Sequence, residues 1–211
     1  MSTGGGVRGT PAGLLDRVKR LLVDRRGVAA IEFAFVVPLL LCMYLVTMEV
    51  SQGIESNKKV SRVASMVGDL VTQQQTTSAA ELDAILQIGA ALLQPYNRST
   101  PKIVITAIEV TDETTPKVKV FWTRKSGGDA ALDARCPTPT KGAETTIPAA
   151  LKTRGSFLVR VEDCLDYKPV ITWAAESKKP LGLTAAFDKI PMKETYYLRP
   201  RMSAQVTCAD C

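Results

Sequence analysis

Glu32 is a carboxylate in an apolar run: it lies in Val28–Val50, VAAIEFAFVVPLLLCMYLVTMEV, and no charged side chain follows it from Phe33 to Met48. An ionised carboxylate is costly in hydrocarbon, so Glu32 calls for a cation. The sequence offers a way to make one. Asp24-Arg25-Arg26-Gly27 abuts the run, and Glu32 is the fifth residue after Gly27. A cut after Gly27 would leave a charged amine on Val28, four residues before Glu32 and one helical turn from it. A desolvated pair of this kind is a poor source of stability but a useful register device between parallel helices. The plainer alternative is that Glu32 snorkels at the interface of an uncut single-pass anchor.

The sulfur chemistry lies elsewhere. Cys136, Cys164, Cys208 and Cys211 all follow the apolar run, and an even set beyond a membrane span reads as disulfides in an oxidising compartment. Three pairings are open, with Cys136–Cys164 and Cys208–Cys211 favoured. Zinc is the competing use, but one CxxC with two scattered cysteines lacks the usual paired spacing. Cys42, inside the run, reads as a small hydrophobe.

Other chemistry is excluded by what is missing. The chain has no histidine, which removes His-dependent triads and HExxH zinc sites. Asp163, Asp166, Asp188 and Glu194 have no motif spacing and read as solvated surface, and Gly127-Gly128 has no Walker Lys-Ser/Thr after it. No catalytic residue, metal or cofactor is expected. Six basic and two acidic residues place +4 of the net charge of +6 within residues 1–27. Basic excess beside an apolar run fits membrane topology better than nucleic acid, so no nucleic-acid partner is expected.

Phe33–Met48 rises only about 24 Å at about 1.5 Å per residue, against a hydrocarbon core of about 30 Å. Starting at Val28 gives about 31 Å, which spans the bilayer in contact with membrane lipid and draws Glu32 one turn inside its edge. Arg17, Lys19, Arg20, Arg25 and Arg26 precede the run closely, whereas Lys58, Lys59 and Arg62 follow at a distance. The positive-inside bias therefore puts the N-terminus in the cytoplasm. The end of the run and the residues beyond it, VTMEVSQGIES (46–56), offer no A-x-A site for a secretory peptidase. The expected organisation is a cytoplasmic leader at 1–27, a transmembrane helix at 28–50 and an exported domain at 51–211. Pro38 cannot bond back to Ala34, so a kink is possible within the span.

Basic residues, Gly27 and an apolar helix with Glu32 at its fifth position resemble the class III signal of type IV pilins and pseudopilins. The longer string from Arg25 to Leu41, RRGVAAIEFAFVVPLLL, is similar to the TadE-like family, the minor pseudopilins of the tight-adherence (Tad/Flp, type IVc) pilus. Tyr196-Tyr197-Leu198-Arg199-Pro200-Arg201 also looks like an aromatic-Pro-Arg segment near the C-terminus of such proteins. The chain departs from the major Flp pilin in having Phe33 where that motif has Tyr, and in its length. It also lacks the DxSxS metal motif of relatives that carry a von Willebrand A domain. The resemblance implies a non-enzymatic assembly protein of the inner membrane, its C-terminal domain periplasmic or carried into the pilus. It implies cutting between Gly27 and Val28 by a prepilin peptidase, with Arg25 and Arg26 as leader residues and Glu32 as the assembly carboxylate. The implied partners are that peptidase, other Tad pseudopilins, the Flp pilin and the inner-membrane pilus platform, with cell adhesion as the outcome. The alternative is an uncleaved, single-pass membrane-anchored periplasmic binding or adhesion domain.

The elements that must carry these groups are legible in the periodicity. Val60, Val63, Val67, Leu70 and Val71 recur at three- and four-residue steps, which predicts an amphipathic helical stem over 51–73 continuous with the span. Ser78-Ala-Ala-Glu81 is a capping box that opens a second helix, closed by Pro95. Lys102–Val110 and Lys117–Trp122 are β-branched runs joined as a hairpin, with Val118, Val120 and Trp122 expected on one face. Ser156–Val161 and Tyr196–Val206 supply two more strands, the latter read as an edge because of Pro200. Glycines and prolines between Lys125 and Gly155 predict a long solvent-facing loop. Helices followed by strands without alternation give an α+β fold with an antiparallel sheet.

Overall fold

The computed structural model describes residues 28–128, 130–170 and 189–211. Arg25, Arg26, Gly27 and Asp188 lie outside them. The chain divides into two units, Met1–Met48 and Glu49–Cys211.

Helix α1 runs from Val28 to Thr72 with Pro38 inside it. Up to Met48 its one charged side chain is Glu32, and among the described residues α1 is the one helix long and apolar enough to cross a membrane. The sequence pattern changes after that point. Ser56, Val60, Val63, Ala64, Val67, Gly68 and Val71 are buried, the three- and four-residue stripe of a helix packed on one side. Small residues set how closely α1 approaches its neighbours. A Cβ on Gly68 would come within 2.5 Å of Leu198 Cδ1.

Helix α2, Ala79–Ala91, begins where its capping box requires. Ser78 Oγ accepts the Glu81 N–H at 3.3 Å, and Glu81 Oε2 accepts the Ser78 N–H at 2.9 Å. Its Leu82, Ile85, Leu86 and Gly89 are buried. A Cβ on Gly89 would meet Val67 Cγ2 at 2.8 Å and Ile103 Cδ1 at 3.1 Å, so this glycine is where α2, α1 and the sheet converge.

Four antiparallel strands form the sheet in the order β3-β2-β4-β5: β2 Lys102–Val110, β3 Val118–Gly127, β4 Phe157–Tyr167 and β5 Ile190–Leu198. Two-residue strands β1 (Thr76–Thr77) and β6 (Thr207–Cys208) pair in parallel beside the start of α2. The helices cover one sheet face, with Val159, Val161, Leu165 and Tyr167 of β4 in the same core as Val60, Val67 and Leu86. The other face is covered in two places. Leu132 and Cys136 pack on Val104 and Cys164 at one end, while Ile147 and Leu151 pack against Ile108, Val110 and Leu158 at the other. All eleven residues of β4 are therefore buried.

The structure corrects three expectations within this α+β architecture. Val118, Val120 and Trp122 do not share a face, because the register shifts between Ala107 and Ile108: Ala107 pairs with Trp122 but Ile108 with Val120, leaving Phe121 as a bulge. Trp122 thus joins the helix-side core while Val118 packs on the opposite face. Residues 125–155 are not one solvent-facing loop. They extend β3 to Gly127, form helix α3 at Ala130–Arg135 and a 3₁₀ turn at Ala149–Leu151, and bury Leu132 and Cys136. Tyr196–Val206 is not one strand either. Tyr196–Leu198 close β5, which is an edge as read, but the strand carries Pro191, and Arg199–Val206 turn away toward β6.

Candidate functional site

Val28 is the first described residue and is already helical, so Val28 and Glu32 stand one turn apart on the same side of α1. The side chains around them, among them Ile31, Phe33, Phe35 and Leu39, are exposed within the chain. A helix apolar on all sides is stable only in an apolar medium or against other apolar helices, which is the setting that makes Glu32 costly without a cation. The local polar groups conform to that setting: Thr47 Oγ1 donates to Met43 O at 2.8 Å, within the helix itself. Cys42 is a free thiol on this surface.

The four remaining cysteines form two disulfides, Cys136–Cys164 and Cys208–Cys211, with Cα separations of 6.3 and 5.6 Å. The first ties the end of α3 to the middle of the sheet. The second closes a short loop at α2, where Asp210 Oδ1 accepts the Ala79 N–H at 2.7 Å. Donor atoms of Cys208, Asp210 and Cys211 lie within 4.8 Å of one another. With both sulfurs joined to each other, Asp210 alone retains a ligand atom, so this arrangement does not suit a metal ion.

Gly127 and Gly128 have a structural role of their own. Both adopt positive φ, at 65° and 86°, and a Cβ on Gly128 would meet the Lys102 side chain within 3 Å. That close approach buries Lys102 completely and leaves its ammonium paired with Asp133 of α3.

The carboxylates read as solvated surface are not all so. Asp166 is buried and paired with Arg135, and Asp163 is buried on β4. The sequence also gave no sign of a cluster where the second unit begins. Glu49 Oε1 accepts the Tyr167 hydroxyl at 2.6 Å and Glu49 Oε2 accepts the Val170 N–H at 2.8 Å. Arg98 donates from Nε to Lys168 O at 2.7 Å, its guanidinium 4.8 Å from the Tyr96 ring centre and 5.3 Å from that of Tyr167. Burial, with the bond to Glu49, pushes the Tyr167 hydroxyl above its ordinary range. Apart from Tyr96 and Arg98, which are two residues apart, these groups lie far from their partners in sequence, so no spacing rule could have found the cluster.

A family model described as TadE-like protein matches residues 27–68. The match begins at Gly27, includes Glu32 and Pro38, and ends at Gly68, where an added Cβ would meet Leu198 of β5. It covers the helix on which the apolar run and the buried stripe succeed one another, and leaves the sheet outside. No curated protein and no solved structure matches the chain.

Proposed function

We propose that this chain is a minor pseudopilin needed for assembly of a Tad/Flp-type adhesive pilus, cut by a prepilin peptidase between Gly27 and Val28. The observation that carries this reading is the TadE-like match over 27–68, coincident with an apolar helix whose carboxylate stands five residues after Gly27. In this reading Arg25 and Arg26 hold the leader at the cytoplasmic surface, 28–50 spans the inner membrane, and 51–211 is the exported domain with its stem at 51–73. Glu32 takes the new amine of Val28, on its own chain or a neighbour, as its cation and so sets the register of parallel helices. Other Tad pseudopilins, the Flp pilin and the inner-membrane platform are the partners this requires.

The test is intact mass and N-terminal sequence of the protein extracted from membranes of cells with and without prepilin peptidase. A chain beginning at Val28 only when the peptidase is present supports the reading. An uncut chain in both strains overturns it and leaves a single-pass anchored binding or adhesion domain.

A further inference from the structure

The odd-numbered residues Phe157, Val159, Val161, Leu165 and Tyr167 of β4 all belong to the helix-side core. Strand alternation puts Asp163 on that same face. Asp163 is 0% exposed, and neither Oδ1 nor Oδ2 has a hydrogen-bond partner. Helix α1 passes over this face: Tyr167 lies against Gly53, and Val161 and Leu198 lie against Gly68. The carboxyl group therefore falls under the part of α1 that buries Ser56, Val60, Val63 and Ala64.

Among the described residues, no element packed here brings it a charge of opposite sign. In the ladder Asp163 sits between Ile103 of β2 and Glu194 of β5. The neighbouring β5 hydroxyl, Tyr196, is 2.9 Å from Ser61 Oγ on α1. On α1, Lys59 donates to Gln94 O and pairs with Glu55, while Lys58 and Arg62 are exposed. Asp83 of α2 is held by Arg124 of β3, and Tyr167, further along β4, is bonded to Glu49. A carboxyl group buried without bonds favours its neutral form, and burial alone pushes Asp163 up to about 8.

We propose that Asp163 makes the contact between α1 and the sheet a pH-operated latch, closed while the carboxyl is protonated and released when its proton passes to solvent. A bare carboxylate in that seam must be hydrated, and water reaches it only if α1 loosens from β4 and β5. The sign follows from the raised value: this group's contribution is greatest below about pH 4, where the unfolded chain is also protonated. It is lost progressively as pH rises toward about 8.

The experiment is amide hydrogen exchange on the full chain in detergent micelles, from about pH 6 to about pH 9, corrected for intrinsic exchange rates. In the parent protein, protection over residues 56–72 should fall by roughly tenfold or more across that range, the factor given by one unit of linked ionisation. Protection of β2 should not change. Asp163→Asn, which keeps the shape and cannot ionise, and Asp163→Leu should both hold residues 56–72 protected at every pH. Protection in the parent that does not vary with pH, or the same alkaline loss in both variants, overturns the proposal. Should neither variant fold, the parent profile alone decides.

Discussion

Two carboxylates illustrate how a single residue's surroundings set what a substitution does. Glu32→Gln removes a charge and keeps the side chain's size. In the proposed function it leaves the cut after Gly27 intact and lowers surface pili roughly tenfold or more, the factor that about 1.4 kcal/mol of lost pairing gives. N-terminal sequencing beside a count of surface pili separates the two effects; a variant that assembles normally would remove Glu32 from the register role. Asp133 is the second case. It is 54% exposed on its side chain while its partner Lys102 is 0% exposed. Asp133→Ala therefore strands a buried ammonium and should lower the melting temperature, whereas Lys102→Met removes the charge itself and should lower it less. Thermal melts of both variants check the order. The hydrogen bond from Lys102 holds the Asp133 carboxyl below its ordinary range. That contribution is therefore present above about pH 4 and lost as pH falls through the lowered value. Asp163 runs the other way, so the two groups bend the stability profile at opposite ends.

At the scale of elements, close approach and cross-links decide which changes matter. Gly89 and Gly68 both sit inside helices, where alanine is favoured by about 1 kcal/mol. A Cβ on Gly89 meets Val67, Ile103 and Val63 together, three side chains fixed in the core, so Gly89→Ala should still cost about 1–3 kcal/mol. At Gly68 the nearest atom is the end of Leu198 on edge strand β5, which can turn aside, and Gly68→Ala should fall within about 1 kcal/mol of the parent. Denaturant titration of the pair gives the comparison. Cys136–Cys164 closes 28 residues and ties α3 to β4, so its removal by paired serine substitution should cost about 3 kcal/mol. Cys208–Cys211 closes a far shorter loop and should cost less. What the sequence revealed follows the same division. The stem stripe and the Ser78–Glu81 box are local patterns and could be read directly. The bulge at Phe121 could not, because alternation in β3 alone does not show that Ala107 and Ile108 shift the pairing. α3 was hidden because its six residues are too short for a periodic signal, and it is held by Leu132, Cys136 and the Lys102 pair. Glu32 and Pro38 could be placed on one helix because the apolar run that contains them is itself a local pattern. Asp163 was not, since its burial comes from α1, over ninety residues away in sequence.

For the whole molecule, the question is where along α1 the chain ceases to be needed for the fold. Residues 28–48 of the helix are exposed, whereas Val60, Val63, Val67 and Val71 are all essentially fully buried in the core of the second unit. At about 1.5–3 kcal/mol each, those four valines contribute roughly 6–12 kcal/mol, comparable to the whole stability of a typical domain at about 5–15 kcal/mol. The stem is thus part of the globular core, and it also carries Ser61, which meets Tyr196, and Gly68, which admits Leu198. A fragment Glu49–Cys211 should stay in solution without detergent and melt in one cooperative transition. A fragment beginning at Gln73 should expose the helix-side face of β4 and aggregate or lack a cooperative melt. Gel filtration and thermal unfolding of the two fragments decide this. Cooperative melting of the shorter one would mean that α1 merely rests on a core already complete without it, and Asp163 would then be covered by something other than the stem.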